Sequence, residues 1–215
     1  QHDLRRTQLD LLNQHLSPDD INDLMPIITS AAELDASLRL PLIELCLSPL
    51  KQLSKAQQHA FIDCIHLVIH ADNKVSLMEW AVYRIVLHNT IIHNKPTRNR
   101  NLRDLQHECQ LLLSLLAYSG AANKDDAQLA FDQAKAVLNF SDLILMPRNE
   151  IKLTDADEAL EQLNLTKPLQ KPQLLKALSQ CVLQDGKVTI IEAELFRAIA
   201  DSLDCPIPPL INGMN

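Results

Sequence analysis

Two pairs of acidic residues are the side chains in this sequence best suited to metal chemistry. Asp72 and Glu79 are seven residues apart, and Asp185 and Glu192 repeat that spacing. Carboxylate oxygens suit hard divalent cations, but calcium needs roughly six to eight oxygen ligands, and neither pair has the spacing of an EF-hand loop. A metal site would therefore need backbone carbonyls, water molecules or both pairs together. The alternative role is structural, with each Glu capping a helix and each Asp holding a turn.

A histidine pair offers a second possible metal site. His66 and His70 lie four residues apart, which is the spacing of two ligands on one helix face. A helix turning by about 100° per residue places them opposite an apolar stripe, so we expect them to face solvent. The residues expected on the solvent side are His59, Asp63, His66 and His70, and those expected in the core are Phe61, Cys64, Ile65 and Val68.

The sequence contains no recognisable catalytic motif. His107 and Glu108 begin like the H-E-x-x-H helix of zinc peptidases, but Leu111 occupies the position of the second histidine. Neither a G-x-S-x-G motif, a Cys-His motif nor a phosphate-binding glycine loop is present. We therefore expect that this segment is not an enzyme and holds no cofactor of its own. A hydrolase of unrecognised type would need a concave site with acids of perturbed pKa.

Both acidic pairs belong to a duplicated helix-turn-helix unit with the pattern D-[NG]-K-V-[ST]-x-x-E. Asn73 and Gly186 tolerate a left-handed backbone, which commonly ends a helix. Ser76 and Thr189 each precede a Glu by three residues, which is the capping box at the start of the next helix. The pattern therefore predicts the same turn twice, with the angle between two helices encoded locally in each copy.

The duplication extends beyond the turn to a shared basic residue. Arg84 and Arg197 align in the two copies, and Lys74 and Lys187 align within the turn. We expect these residues to be ion-pair partners or solvated charges. The two predicted helix-turn-helix units cover about residues 54–92 and 168–203.

Composition indicates an all-α fold. The chain has 215 residues, of which 47% are hydrophobic and only three are glycine. Apolar residues three and four positions apart favour helices over strands. A net charge of −7 and 3% aromatic residues argue against a general nucleic-acid surface. Ten helices are predicted, near residues 3–16, 18–34, 38–48, 54–71, 76–92, 101–118, 123–140, 154–164, 171–183 and 189–203.

The cysteines indicate a reducing compartment. Their odd number and the lack of a C-x-x-C pair suit buried reduced thiols in a cytosolic protein better than a disulfide framework. The five positions are Cys46, Cys64, Cys109, Cys181 and Cys205. No apolar run reaches the roughly 18 to 20 residues of a membrane span. Because the chain begins at Gln1 without a Met, we expect it to be part of a longer protein.

The duplicated pattern and three further segments resemble a known family. The segments are Arg39 to Glu44, Leu53 to Gln57 and Asp201 to Leu210. Together they are similar to the C-terminal region of bacterial membrane-bound zinc metallopeptidases of the HtpX-like, CAAX-prenyl-protease-like family. The acidic turn is also similar to the TerB-like helical fold of tellurite-resistance proteins, although no further acids accumulate as in a TerB-like metal cluster.

This resemblance implies that zinc, the H-E-x-x-H helix and the membrane helices belong to an upstream part of a parent metallopeptidase. None of those catalytic residues can be placed on this chain. The resemblance implies a parent at the bacterial inner membrane, with this segment on the cytoplasmic side and attached to the membrane only through the upstream part. We expect a helical extension over residues 1–36 and an accessory domain over 37–212.

The predicted function is interaction or regulation without catalysis. The expected partner is the peptidase part, a sister subunit or another protein, but not a nucleic acid. Contact would use an apolar groove between helices or the segment from Pro206 to Leu210, whose prolines favour an extended conformation. The alternative role of that segment is to cover the core. The alternative is a TerB-like sensor of divalent metals that uses Asp72 with Glu79 and Asp185 with Glu192.

Overall fold

The computed structural model of the chain describes residues 2–91 and 97–208. Within these ranges it contains ten α-helices and no strand, so the predicted all-α fold is confirmed. The helices are α1 His2–His15, α2 Pro18–Ala32, α3 Ala36–Lys51, α4 Lys55–Ile69, α5 Leu77–Thr90, α6 Gln106–Gly120, α7 Lys124–Leu138, α8 Leu153–Asn164, α9 Lys171–Val182 and α10 Ile190–Ser202. None of the helices in the described ranges has the length and apolar character that crossing a bilayer requires.

Several helices begin where the sequence places a capping side chain. The Ser17 hydroxyl accepts the backbone N–H of the third residue of α2, and Ser54 does the same for α4. Asn123 accepts two backbone N–H groups at the start of α7. These oxygens satisfy amides that have no partner within the helix. The predicted starts of α2, α4 and α7 are therefore confirmed.

The chain folds into two compact units, and the first is Gln1–Ile92. In this unit α1 packs against α4, while α5 packs against both α3 and α4. Its core contains Leu40, Ile62, Trp80 and Ile85, each at most 6% exposed. Helix α2 contributes no buried residue. The apolar core of the first unit is therefore built from α3, α4 and α5, with α2 outside it.

The second unit is His93–Asn215, and its core is more extensive. Helix α6 packs against α7, α8, α9 and α10, and α7 also packs against α9. The largest fully buried side chains include Leu112, Phe131, Leu160 and Leu178. Short 3-10 helices over Leu102–Leu105, Arg148–Glu150 and Pro168–Gln170 join these elements. The α6 helix is the central element of the second unit, because four other helices pack on it.

Both predicted helix-turn-helix units are present. Helices α4 and α5 form the first hairpin, and α9 and α10 form the second. The two hairpins lie in different compact units, and the boundary between the units falls between residues 92 and 93. The proposed boundary between residues 36 and 37 stays a prediction.

The predicted core stripe of α4 is wrong in its register. Phe61, Cys64, Ile65 and Val68 are only half-buried, whereas Ile62 and Ile69 are buried. The amide of Gln58 is buried as well, and its Nε2 lies 3.4 Å from two carbonyl oxygens at the end of α3. A buried glutamine therefore forms part of the inner face of α4, and a pattern of apolar residues could not reveal this.

The polar stretches at residues 93–100 and 146–149 lie between predicted helices, so the sequence predicts a loop at each, and the structure describes these two segments only in part. From Pro147 the second segment continues into the short 3-10 helix Arg148–Glu150. In the first, residues 93–96 lie outside the described residues, and residues 97–100 have no helical structure. At the C-terminal end, Pro206, Ile207 and Pro208 have no helical structure, and Pro209 and Leu210 lie outside the described residues. The extended segment predicted there is therefore described only in its first part.

Candidate functional site

The acidic turn has the same backbone conformation in both copies. Asn73 has a φ of 58° and Gly186 has a φ of 72°, so both adopt the left-handed conformation. Asp72 and Asp185 each accept a hydrogen bond from the backbone N–H of the residue two positions later. The distances are 3.0 Å from Lys74 to Asp72 and 2.9 Å from Lys187 to Asp185. One oxygen of each Asp thus stabilises the turn.

The capping boxes also match in both copies. In the first copy, Oε2 of Glu79 accepts hydrogen bonds from the backbone N–H of Ser76 at 2.8 Å and from the Ser76 hydroxyl at 2.7 Å. The backbone N–H of Glu79 donates to the Ser76 hydroxyl oxygen at 3.2 Å. The corresponding distances between Thr189 and Glu192 are 2.8, 2.7 and 3.2 Å. Both predicted capping boxes are therefore confirmed. One oxygen of each glutamate is committed to holding a helix start.

The two glutamates differ in their surroundings. Glu79 is half-buried, but Glu192 is only 8% exposed. The Glu192 carboxylate lies against Gly120, the last residue of α6, so closely that a Cβ on Gly120 would overlap it. The second copy therefore joins α10 to α6 through a buried carboxylate, and this contact depends on the absence of a side chain at position 120.

This carboxylate lines a small cleft in the second unit. The cleft has a volume of about 200 Å³, and its wall includes Glu192, Asp185, Asp126 and Cys181. Two of these acids belong to the predicted metal set, and Asp126 at the start of α7 was not predicted. Among the residues that the structure describes, no three His, Cys, Asp or Glu side chains converge closely enough to hold a metal ion. Metal binding by the acidic pairs stays a prediction.

Two thiols of the second unit are strongly shielded from ionisation. Burial raises the pKa of Cys181 to about 12, and the negative charge of Glu192 adds to the shift. Burial likewise raises the pKa of Cys109 to about 12, with a further contribution from Glu108. A thiol reacts through its thiolate, so neither cysteine is a nucleophile near neutral pH. All five cysteines are free, but Cys46 is exposed, so the prediction of buried thiols is wrong at that position.

The shared arginines are buried in both copies. Arg84 is 8% exposed and Arg197 is 3% exposed. Nη1 of Arg197 lies 3.6 Å from Oε1 of Glu194, which is itself buried. Of the two roles predicted for these residues, the solvated charge is therefore wrong. Because both arginines are buried, they belong to the cores of their units. A buried guanidinium group needs nearby polar partners.

The histidines of α4 lie on the solvent side, as predicted. His59, Asp63, His66 and His70 are exposed. The rings of His66 and His70 stack with their centroids 4.0 Å apart, and Nδ1 of His70 is 2.8 Å from the backbone oxygen of His66. One ring nitrogen of His70 is therefore already engaged by the backbone of its own helix.

A buried lysine in the second unit was not recognised from the sequence. Lys171 is 3% exposed, and its Nζ lies 2.6 Å from Oδ1 of Asn164 and 2.7 Å from the backbone oxygen of Leu203. Asp204 is 4.0 Å away and also pairs with Arg98. Desolvation lowers the pKa of Lys171, and the charge of Arg98 lowers it further, against the opposing effect of Asp204. This cluster ties the start of α9 to the end of α10.

Lys171 makes two bonds that close a helix end, which is a structural role. A lysine beside Pro172 at a helix start is ordinarily expected to be exposed, and no local pattern indicates that the Leu203 carbonyl lies next to it.

Comparison with known proteins yields no family model, no curated protein and no solved structure that matches this chain.

Proposed function

We propose that this chain is a non-catalytic interaction module that accompanies a membrane-associated zinc metallopeptidase. One observation carries the proposal: the exposed apolar face of α3, which consists of Leu38, Leu42 and Leu45 and is called the α3 face below. These leucines are 50%, 41% and 74% exposed. Their spacing of four and three residues aligns them along one side of the helix. Apolar stripes left open to water commonly mark protein-binding sites.

The α3 helix has apolar residues on two of its faces, one buried and one exposed. Leu40 and Leu47 on the inner side are 1% and 8% exposed, and the helix packs on α5. The inner side therefore anchors the helix, while the α3 face remains in solvent. A helix that is apolar nearly all round is normally covered on both sides. Covering the α3 face with a protein would remove its leucines from water at roughly 25 cal/mol per Å².

The resemblance of the duplicated turn to the zinc peptidase family supplies the expected context. In this proposal the chain lies on the cytoplasmic side of the bacterial inner membrane, and zinc is held by the peptidase part. The premise is tested by the reading frame upstream of Gln1. An in-frame H-E-x-x-H motif preceded by apolar segments would support it, and a reading frame without that motif would remove it.

The binding function is tested by adding the peptidase part to this chain as a separate protein. Titration calorimetry should give saturable binding for the wild-type chain and at least tenfold weaker binding for Leu42→Glu plus Leu45→Glu. Ile144→Glu is the matched control, because Ile144 is also apolar, is 66% exposed and lies in the other unit. Equal binding by the wild type and the double variant would contradict a role for the α3 face.

A divalent-metal sensor is the second candidate function, and the cleft of the second unit favours it. Asp126, Asp185 and Glu192 all line that cleft without converging on one point, so a cation there would be held by one or two carboxylates and by water molecules. Asp185 and Glu192 each have an oxygen not used by the turn or the cap. Binding of calcium, magnesium, manganese or zinc should raise the Tm of the metal-stripped chain. The shift should vanish in Asp72→Ala plus Asp185→Ala and in Asp126→Asn. It should persist in Asp125→Asn, since Asp125 does not line the cleft. No shift with any metal would contradict the sensor.

A further inference from the structure

We infer that the α3 face binds a second copy of this chain, with the two α3 helices antiparallel across a two-fold axis. This inference rests on the proposed interaction function, and it assigns a second copy of the chain to the α3 face when the peptidase part does not cover it. It draws on three features of α3: the spacing of its exposed residues, the charges at its two ends and the direction of its dipole.

The first feature is a symmetric spacing. Leu38, Leu42, Leu45 and Pro49 are all exposed and are separated by four, three and four residues. Reversing the direction of the helix leaves this spacing unchanged. A two-fold axis midway between Leu42 and Leu45 therefore places Leu42 against Leu45 of the second copy and Leu38 against Pro49 of the second copy. An isologous interface needs a patch that is complementary to itself in this way.

The second feature is the charge at the helix ends. Asp35 immediately precedes α3 and Lys51 is its last residue, and both are exposed. Antiparallel pairing brings Asp35 of each copy next to Lys51 of the other. One N–H of the Lys51 ammonium reaches Oδ1 of Asn89 at 2.9 Å, and an ammonium has three such donors. Parallel pairing would instead place like charges together, which is unfavourable.

The third feature is the helix dipole. Antiparallel helices place the positive end of one dipole beside the negative end of the other. This arrangement acts in the same direction as the Asp35 and Lys51 charges. One helix pair buries less area than the roughly 1,200–2,000 Å² of a standard stable interface. We therefore expect a weak dimer in rapid exchange, with a dissociation constant on the order of 10–100 μM.

The deciding experiment is analytical ultracentrifugation of the full chain from about 5 to about 500 μM, which brackets the dissociation constant expected for a small interface. The wild type should move from monomer towards dimer over this range. Leu42→Glu plus Leu45→Glu should weaken the dimer at least tenfold, and Ile144→Glu should behave as the wild type. Circular dichroism should give the same helix content for all three proteins, because the replaced side chains are exposed.

Disulfide trapping tests the orientation, in a Cys46→Ser background that removes the exposed native thiol of α3. With a rise of about 1.5 Å per residue, antiparallel pairing leaves position 38 of the two copies roughly 16 Å apart. A disulfide needs Cα atoms closer than about 7 Å. Leu38→Cys alone should therefore give no cross-link through the α3 face, while Leu38→Cys mixed with Pro49→Cys should give a heterodimer. Cross-linking of Leu38→Cys with itself, without the heterodimer, would overturn the antiparallel arrangement.

A wild-type chain that stays monomeric over the whole range would overturn the inference, as would a dimer that the double variant leaves unchanged. The proposed function fails by a different measurement. If the chain is monomeric but the peptidase part binds the α3 face, the interaction function stands and its partner is another protein. If neither a second copy nor the peptidase part binds, both proposals fail.

Discussion

The two copies of the acidic turn have the same hydrogen bonds but different surroundings. The turn and cap distances agree within 0.1 Å between the copy at Asp72–Glu79 and the copy at Asp185–Glu192. Glu79 is nevertheless half-buried, whereas Glu192 is buried against Gly120. Local sequence therefore determines the conformation of the turn, and the opposing helix determines how much each residue contributes to stability. Each of the following variants tests this division.

The largest expected difference concerns the cysteines on the first helix of each copy. Cys181 on α9 is buried with a pKa raised to about 12, while Cys64 on α4 is half-buried and its pKa is raised by burial to a smaller extent. Below pH 9 the thiol is neutral in both the folded and unfolded chain, so its contribution to stability is fully present. Above pH 9 the unfolded thiol ionises first, and the free energy of unfolding falls by roughly 3 kcal/mol between about pH 9 and 11.

Urea unfolding at a series of pH values measures this effect. Cys181→Ala should remove about half of the alkaline loss, because Cys109 has a pKa also raised to about 12 and contributes a similar amount, and Cys64→Ala should remove less. Loss of the side chain also changes the free energy of unfolding by an amount that does not depend on pH. The slope of the free energy of unfolding with pH therefore reports ionisation alone. The same slope in the wild type and in Cys181→Ala would show that Cys181 ionises as easily in the folded chain as in the unfolded one.

The next largest difference concerns the two capping glutamates. Glu79→Ala should cost about 1 kcal/mol, which is typical for loss of a cap. Glu192→Ala should cost roughly 2–3 kcal/mol, because it also leaves a gap beside Gly120. Chemical denaturation measures both values, and Glu→Gln at each site is the control that keeps side-chain size. Equal costs at the two sites would contradict the importance of burial in the second copy.

Gly120→Ala tests the same contact from the opposite side. Replacing a helical glycine by alanine ordinarily stabilises by up to about 1 kcal/mol. Here the new Cβ overlaps the Glu192 carboxylate, so we expect a destabilisation of roughly 1–2 kcal/mol. In a Glu192→Ala background the same change should become neutral or stabilising, which a double-mutant cycle measures. Additive effects would mean that the Glu192 side chain moves aside at little cost.

Sequence patterns succeeded where the signal is local. Left-handed Asn73 and Gly186, together with the capping residues Ser76 and Thr189, were recognisable because each acts on atoms within a few residues of itself. Helices α2, α4, α5, α7 and α10 follow from the same kind of signal, since their starts have side-chain caps. The starts of α6, α8 and α9 have no side-chain cap, and these helices follow from apolar residues that recur at helical spacing. These features define the hairpins without reference to the rest of the fold.

The remaining features depend on residues far apart in the chain. Gln58 was not expected in the core, because its amide is satisfied by carbonyls of the preceding helix. Lys171 was not expected to be buried, because its acceptor at Leu203 is 32 residues away. Polar residues are ordinarily exposed, so a pattern based on polarity misplaces those with distant partners. Asp126 was not recognised as a wall of the cleft because it also serves as an ordinary helix-start acid.

The smallest expected difference concerns the left-handed turn position. Nothing lies within 4 Å of a Cβ built at Gly186, so Gly186→Ala changes only the backbone preference. We expect a cost of roughly 0.5–1 kcal/mol there and a similar cost for Asn73→Ala, since both positions have positive φ. Exchanging the residues, as Asn73→Gly and Gly186→Asn, should change the free energy of unfolding by less than about 0.5 kcal/mol at each site. If one site tolerates its exchange and the other does not, the conformation of the turn is not determined by local sequence alone. The surroundings of each copy then affect the turn itself and not only its contribution to stability.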